Sequence, residues 1–104
     1  MAYVREYEDE SITREQLDQG DGLRLLEFGA NWCGYCIAAQ LDIEKALADH
    51  PDLAHEKIAD GPGRPLGRSF RVKLWPTLIL VRDGEEINRV VRPSSAEQVR
   101  KLFA

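Results

Sequence analysis

An apolar run of strand length, LRLLEFGA (residues 23–30), passes almost directly into a segment with helical spacing, GYCIAAQLDIEKALAD (residues 34–49). In that segment Cys36, Ala39, Ile43, Ala46 and Leu47 recur at three- and four-residue steps, as the buried stripe of a helix does. A second strand-like run, DLAHEKIAD (residues 52–60), follows. A strand, a helix and a strand in that order close as a parallel pair with a right-handed crossover, which leaves few folds open. The junction between first strand and helix holds both cysteines of the chain, Cys33 and Cys36.

Around this unit the other elements arrange themselves. AYVREY (residues 2–7) reads as a short edge strand, and TREQ (Thr13 to Gln16) matches a capping box that opens a brief helix ending by Gly20. GPGRPLG (residues 61–67) reads as a loop, followed by a short helical stretch through Phe70. TLILVRDGEEINRVV (residues 77–91) is a hairpin about Asp83-Gly84, a pair suited to the positive φ angles of a type I′ turn. SSAEQVRKLFA (residues 94–104) opens on serine caps and sets Ala96, Val99, Leu102 and Phe103 on one helical face. The sum is an α/β layered fold: one mixed β-sheet with helices on both faces, in a single domain over residues 1–104.

The formal charge of −4 argues against a broad nucleic-acid or anionic-membrane footprint. No apolar run approaches membrane-spanning length, and the opening MAYVREYEDE lacks both the basic start and the apolar core of a secretory signal. If this is the whole gene product, it is expected in the cytoplasm, as a monomer. Stable disulfides are rare there, so a C-x-x-C pair is reactive or metal-binding before it is structural.

Three uses of the pair then compete: a redox couple, half of a metal site, or a bridge. Cys33, Cys36, His50 and His55 satisfy a zinc-like spacing, C-x2-C-x13-H-x4-H. A zinc finger carries its histidines on a helix, however, whereas Pro51 follows His50 directly and Cys36 already belongs to a helix. Both histidines are therefore expected at the surface, and no metal is expected. The redox reading has a physical basis: a cysteine at a helix N-terminus meets unpaired backbone N–H groups and the positive end of the helix dipole, which favour thiolate. Cys33 stands there, Gly34 is expected to keep the turn uncrowded, and Cys36 lies one turn on, in reach but covered. Cys33 would attack a substrate disulfide and Cys36 would resolve the mixed disulfide.

LLEFGANWCGYC, with WPT about forty residues later and LILVRDGEE leading to the terminal amphipathic helix, resembles the thioredoxin family over nearly the whole chain. The resemblance implies a thioredoxin fold and a thiol-disulfide oxidoreductase that reduces protein or small-molecule disulfides. It implies that Pro76 is a cis-proline facing the cysteines, that the backbone of Trp75 pairs with the substrate chain, and that Glu27, where the family often has a buried aspartate, carries the proton of Cys36. Apolar neighbours in LLEF point to burial, which favours the neutral acid, and Lys57 on the adjacent strand is its expected partner. Trp32, Gly34, Tyr35, Trp75, Pro76 and Arg92 make up the expected substrate surface. The dithiol itself carries the electrons, so no cofactor is implied. Partners would be a disulfide-containing protein or a glutathione-type substrate, with an upstream reductase or thiol donor.

The departures fall at the substrate end. Tyr35 replaces the usual proline, giving a CGYC sequence similar to that of some bacterial disulfide isomerases. Ile37 replaces a basic residue, Trp75 a small or aliphatic one, and Arg92 a glycine near the groove. A disulfide oxidase or isomerase of the same fold therefore remains open, as does a non-catalytic binding or assembly module.

Overall fold

The computed structural model describes residues 3–10 and 12–104. Its elements are α1 (Arg14–Asp18), β1 (Leu23–Gly29), α2 (Gly34–Leu47), β2 (Ala54–Ala59), α3 (Pro65–Ser69), β3 (Thr77–Arg82), β4 (Glu85–Val91) and α4 (Ala96–Arg100), which tightens into a 3-10 turn over Lys101–Phe103. The strands form one sheet in the order β2-β1-β3-β4. β1 runs parallel to β2 and antiparallel to β3, and β3 pairs antiparallel with β4.

The central strands are apolar throughout because both faces are covered. Leu25, Leu78 and Leu80 point to one face and pack with Ala39, Ile43 and Leu47 of α2 and with Val99 and Leu102 at the C-terminus. Leu26, Phe28, Ile79 and Val81 point to the other, against Leu17 of α1 and Leu66 and Phe70 around α3. The period-2 alternation of β1 thus puts Glu27 on the same side as Leu25, beneath α2.

Local signals hold where the sequence places them. Thr13 caps α1 and forms a capping box with Gln16. All five positions of the α2 stripe are buried. Asp83 and Gly84 have φ of 51° and 86°, the two positive angles of a type I′ turn. Ser95 caps α4 through the Gln98 N–H.

The N-terminal segment differs from expectation. Ala2 lies outside the described residues, and Tyr3 to Tyr7 form no strand; a single parallel bridge joins Glu8 to Ile58. Side chains take the backbone groups that a strand would have paired. The Val4 N–H donates to His55 Nδ1 at 2.9 Å and the Tyr7 N–H to Asn31 Oδ1 at 2.9 Å. The segment is thereby stitched across the ends of β1 and β2 with Tyr7 turned inward.

Candidate active site

Cys33 is the N-cap of α2, and its Sγ accepts the Cys36 N–H at 3.3 Å. A 14-residue helix therefore starts on a sulfur, with the second cysteine in its first turn. Both thiols are unbridged; Cys33 is 8% exposed and Cys36 1%. Burial, with the hydrogen bond to Cys33, pushes the Cys36 thiol up to about 12. A Cβ at Gly34 would meet nothing within 4 Å, so the turn does not need glycine for room; Gly34 supplies open surface beside the sulfur.

Two aromatic side chains stand out from this mouth, Trp32 at 77% and Tyr35 at 61% exposure. Trp32 meets Trp75 edge to face at a centroid separation of 5.6 Å. Trp75 packs against the cluster that contains Cys33 and Cys36, its Nε1 donates to Asp60 Oδ2 at 2.9 Å, and the Trp75–Pro76 peptide bond is cis. Arg92 completes the rim from the end of β4. Its guanidinium lies 3.8 Å from the Tyr35 ring centroid, and its Nε donates to the Trp75 carbonyl at 2.8 Å. Arg92 adopts φ 49°, a left-handed angle that costs a non-glycine residue some strain. Of the six residues expected to form the substrate surface, Trp32, Gly34, Tyr35, Trp75 and Arg92 thus lie in one connected rim beside the cysteines, while Pro76 is buried behind Trp75.

Beyond Trp75 a groove of about 550 Å³ runs past Asp60 and is flanked by Arg64, Arg68, Arg71 and Lys73. Arg64 pairs with Asp9 at 2.8 Å. Among the described residues Arg68, Arg71 and Lys73 form no ion pair, so this wall is cationic on a chain of net charge −4.

Beneath the cysteines Glu27 is fully buried. Its Oε2 accepts from the Tyr7 hydroxyl in a short hydrogen bond and from Gln40 Nε2 at 2.9 Å, while Oε1 is 2.9 Å from His55 Nε2. Lys57, the register partner of Glu27 on β2, holds its Nζ 4.0 Å from Oε2. That ammonium also donates to the Arg5 carbonyl and to Gln40 Oε1, both at 2.7 Å. Among the described residues no buried side-chain polar atom is left unpaired.

This arrangement corrects two expectations. His55 is only 5% exposed rather than a surface residue. A backbone N–H can only donate, so Val4 fixes Nδ1 of His55 as an acceptor, and the neutral ring must carry its proton on Nε2, toward Glu27. Glu27, in turn, is not held neutral. Burial pushes its carboxyl up, but the His55 hydrogen bond, the Lys57 ammonium and the Tyr7 hydroxyl together outweigh burial and hold it below the usual carboxylate range. Burial lowers Lys57 in turn. The other histidine, His50, stacks on Phe103 at a centroid distance of 3.9 Å. Among the described residues no cluster of three or more His, Cys, Asp or Glu side chains is placed to hold a metal.

Tyr7, Gln40 and His55 join the site in addition to the residues expected from the sequence. A usable signal existed for two of them. His55 and Lys57 alternate on one face of β2 in register with β1, and Gln40 follows Cys36 by one helical turn.

The Thioredoxin family model matches residues 4–104. A thioredoxin of Chlamydia pneumoniae is 35% identical over 94 residues, covering 88% of this chain and 92% of its own. Thioredoxin-2 of Saccharomyces cerevisiae is 34% identical over 80 residues, 77% of each chain. Among solved structures, thioredoxin 2 from Pseudomonas aeruginosa PAO1 in its reduced form superposes with a TM-score of 0.86 at 49% identity, covering 95% of this chain and 92% of that one.

Proposed function

This chain belongs to the thioredoxin family and is a thiol-disulfide oxidoreductase; on that footing we propose that it works as a disulfide reductase with Cys33 as nucleophile and Cys36 as resolving thiol. The observation that carries the assignment is the Cys33 sulfur at the head of α2, accepting the Cys36 N–H, with Cys36 covered behind it. The Cys33 thiolate attacks one sulfur of the substrate disulfide, forming a mixed disulfide and releasing the other sulfur as a thiolate. Cys36 then gives up its proton and attacks Cys33 Sγ. The mixed bond breaks, the second substrate sulfur leaves with the electron pair, and the protein holds a Cys33–Cys36 disulfide. Glu27, kept anionic by its cage, is the base that receives the Cys36 proton, and Lys57 is the partner that keeps it so.

Trp32, Gly34, Tyr35, Trp75, Pro76 and Arg92 receive the substrate. With Arg92 on the rim and Arg68, Arg71 and Lys73 along the adjoining groove, the favoured substrates are disulfide proteins with acidic flanking segments, or glutathione-type disulfides. The electrons travel on the dithiol, with no metal or organic cofactor in the cycle, and an upstream reductase or thiol donor restores it. The protein acts as a monomer in the cytoplasm, without nucleic-acid or membrane partners; the net charge of −4 supports the first exclusion, and none of the described helices is long and apolar enough to cross a membrane.

The test is equilibration of the dithiol with defined glutathione mixtures, alongside reduction of a protein disulfide. A reversible couple near about −270 mV is the result expected of a reductase. A value near about −180 mV or above would transfer the assignment to an oxidase or isomerase, the reading that Tyr35 between the cysteines favours. No reversible couple at all would leave only a binding module.

A further inference from the structure

We propose that Tyr7 is a catalytic residue of the resolving step, carrying the proton from the Cys36 thiol to Glu27 through its hydroxyl. The inference rests on the assignment of Cys36 as the resolving thiol. The resolving thiol and the base are separate groups, and the structure puts one side chain between them. Tyr7 is 6% exposed and its hydroxyl donates to Glu27 Oε2. On its other side the hydroxyl lies beside the thiol. A Cβ added to Gly29 would stand 2.8 Å from the Tyr7 hydroxyl and 2.6 Å from Cys36 Sγ, so both groups crowd over this one glycine, side by side. Any side chain at residue 29 would force tyrosine and cysteine apart, which gives Gly29 a reason to be glycine.

The surroundings hold the ring in place. The Tyr7 N–H and carbonyl are both bonded to the Asn31 side chain, at 2.9 and 3.1 Å, and Lys57 Nζ lies 4.3 Å from the centroid of the phenol ring. The hydroxyl therefore has a fixed acceptor in Glu27, accepts a longer hydrogen bond from Gln40 Nε2 at 3.4 Å, and keeps a second lone pair to take up the thiol proton.

The transfer balances without another reagent. As Cys36 Sγ attacks Cys33 Sγ, the Cys36 proton passes to Tyr7 Oη while the phenolic proton passes to Glu27 Oε2. The Cys33–substrate bond breaks, the substrate sulfur takes the electron pair, and Tyr7 ends neutral, as it began. When the Cys33–Cys36 disulfide is reduced again, the two protons return along the same path. A competing route exists: a small cleft of about 80 Å³ between Tyr7, Cys36, Gln40 and Lys57 can admit water to the thiol.

Rapid mixing of the reduced protein with a slowly turned-over disulfide separates mixed-disulfide formation from its resolution. In Tyr7→Phe, which deletes only the hydroxyl, formation is expected at the wild-type rate and resolution about 100-fold slower, a normal contribution of positioned acid-base catalysis. Glu27→Gln should slow resolution similarly, and the double variant no further, because the two residues act as one unit. Resolution at the wild-type rate in Tyr7→Phe, or equal slowing of both steps, would overturn the proposal and give the transfer to water in the cleft. A second readout needs no variant: in mixed H2O and D2O, the resolving rate of the unmodified protein should curve as for two protons in flight, and a straight line would also overturn it. If no mixed disulfide formed at all, the assignment of Cys33 as nucleophile would have failed first.

Discussion

The two sides of the cysteine pair are built by opposite rules. On the inner side Glu27, Tyr7, Gln40, His55 and Lys57 are packed so that every polar atom has a partner, and the carboxylate is gripped at both oxygens. On the outer side Trp32 and Tyr35 project into solvent, and Arg92 spans Tyr35 and the Trp75 carbonyl by one stacking contact and one hydrogen bond. A buried network has one arrangement, because any unpaired member costs its desolvation in full. An exposed rim can rearrange for each substrate. The comparison assigns proton handling to the inner side and substrate choice to the outer one.

The largest effect should come from breaking the inner side. Glu27→Ala takes the acceptor from the Tyr7 and His55 donors and the charge partner from the Lys57 ammonium, and the loss of a buried charge partner is expected to cost about 3–5 kcal/mol in a urea unfolding titration. The milder Glu27→Gln should remove a pH dependence. The Glu27 carboxyl is held below its unfolded value of about 4.3, so its stabilisation is complete above that value and is lost as pH falls through the folded one. In acid titrations of stability the wild type should therefore fall more steeply than Glu27→Gln; parallel curves would show that the carboxylate is not specially held.

On the outer side the effects should be smaller and confined to substrate recognition. Reversing Arg68, Arg71 and Lys73 to glutamate is expected to raise KM about tenfold for disulfide peptides with acidic flanks, roughly 1.4 kcal/mol, with kcat unchanged for neutral-flanked ones. The gap should shrink in high salt, because these side chains are exposed. Equal KM changes for both peptides would remove the groove from substrate choice. Smaller still, Arg92→Gly frees the Trp75 carbonyl and relieves the φ of 49°, so neutral peptides should bind a few-fold more tightly, with thermal stability nearly unchanged as relieved strain and lost contacts offset. Weaker binding of neutral peptides would instead make Arg92 a direct substrate contact.

The same division governs what the sequence discloses. The strand-helix-strand unit, the capping box at Thr13, the Asp83-Gly84 turn and Cys33 at a helix start are written in contiguous residues, and so are legible. The rim residues are legible because they lie within or beside short motifs. The cage is assembled from four separate places: the N-terminal segment, β1, α2 and β2. Tyr7 reads as part of an edge strand because nothing local reveals that Asn31 and His55 capture the backbone around it. His55, four residues after Pro51, reads as exposed until the register of β2 against β1 turns it inward. The charge of Glu27 was hidden for the same reason, since burial is a local inference and its donors are distant in sequence. Gln40 and Lys57 lie on inward faces, where an unexpected polar residue is the sign of a partner waiting across the fold.

The most direct test of the division is single-turnover kinetics on Glu27→Gln and Arg92→Gly with the two chemical steps resolved. Glu27→Gln should slow only the attack of Cys36 on the mixed disulfide, and Arg92→Gly should change only the encounter and attack at Cys33. If either substitution moved both steps by the same factor, the inner and outer sides would not be doing separate work, and the account would be contradicted.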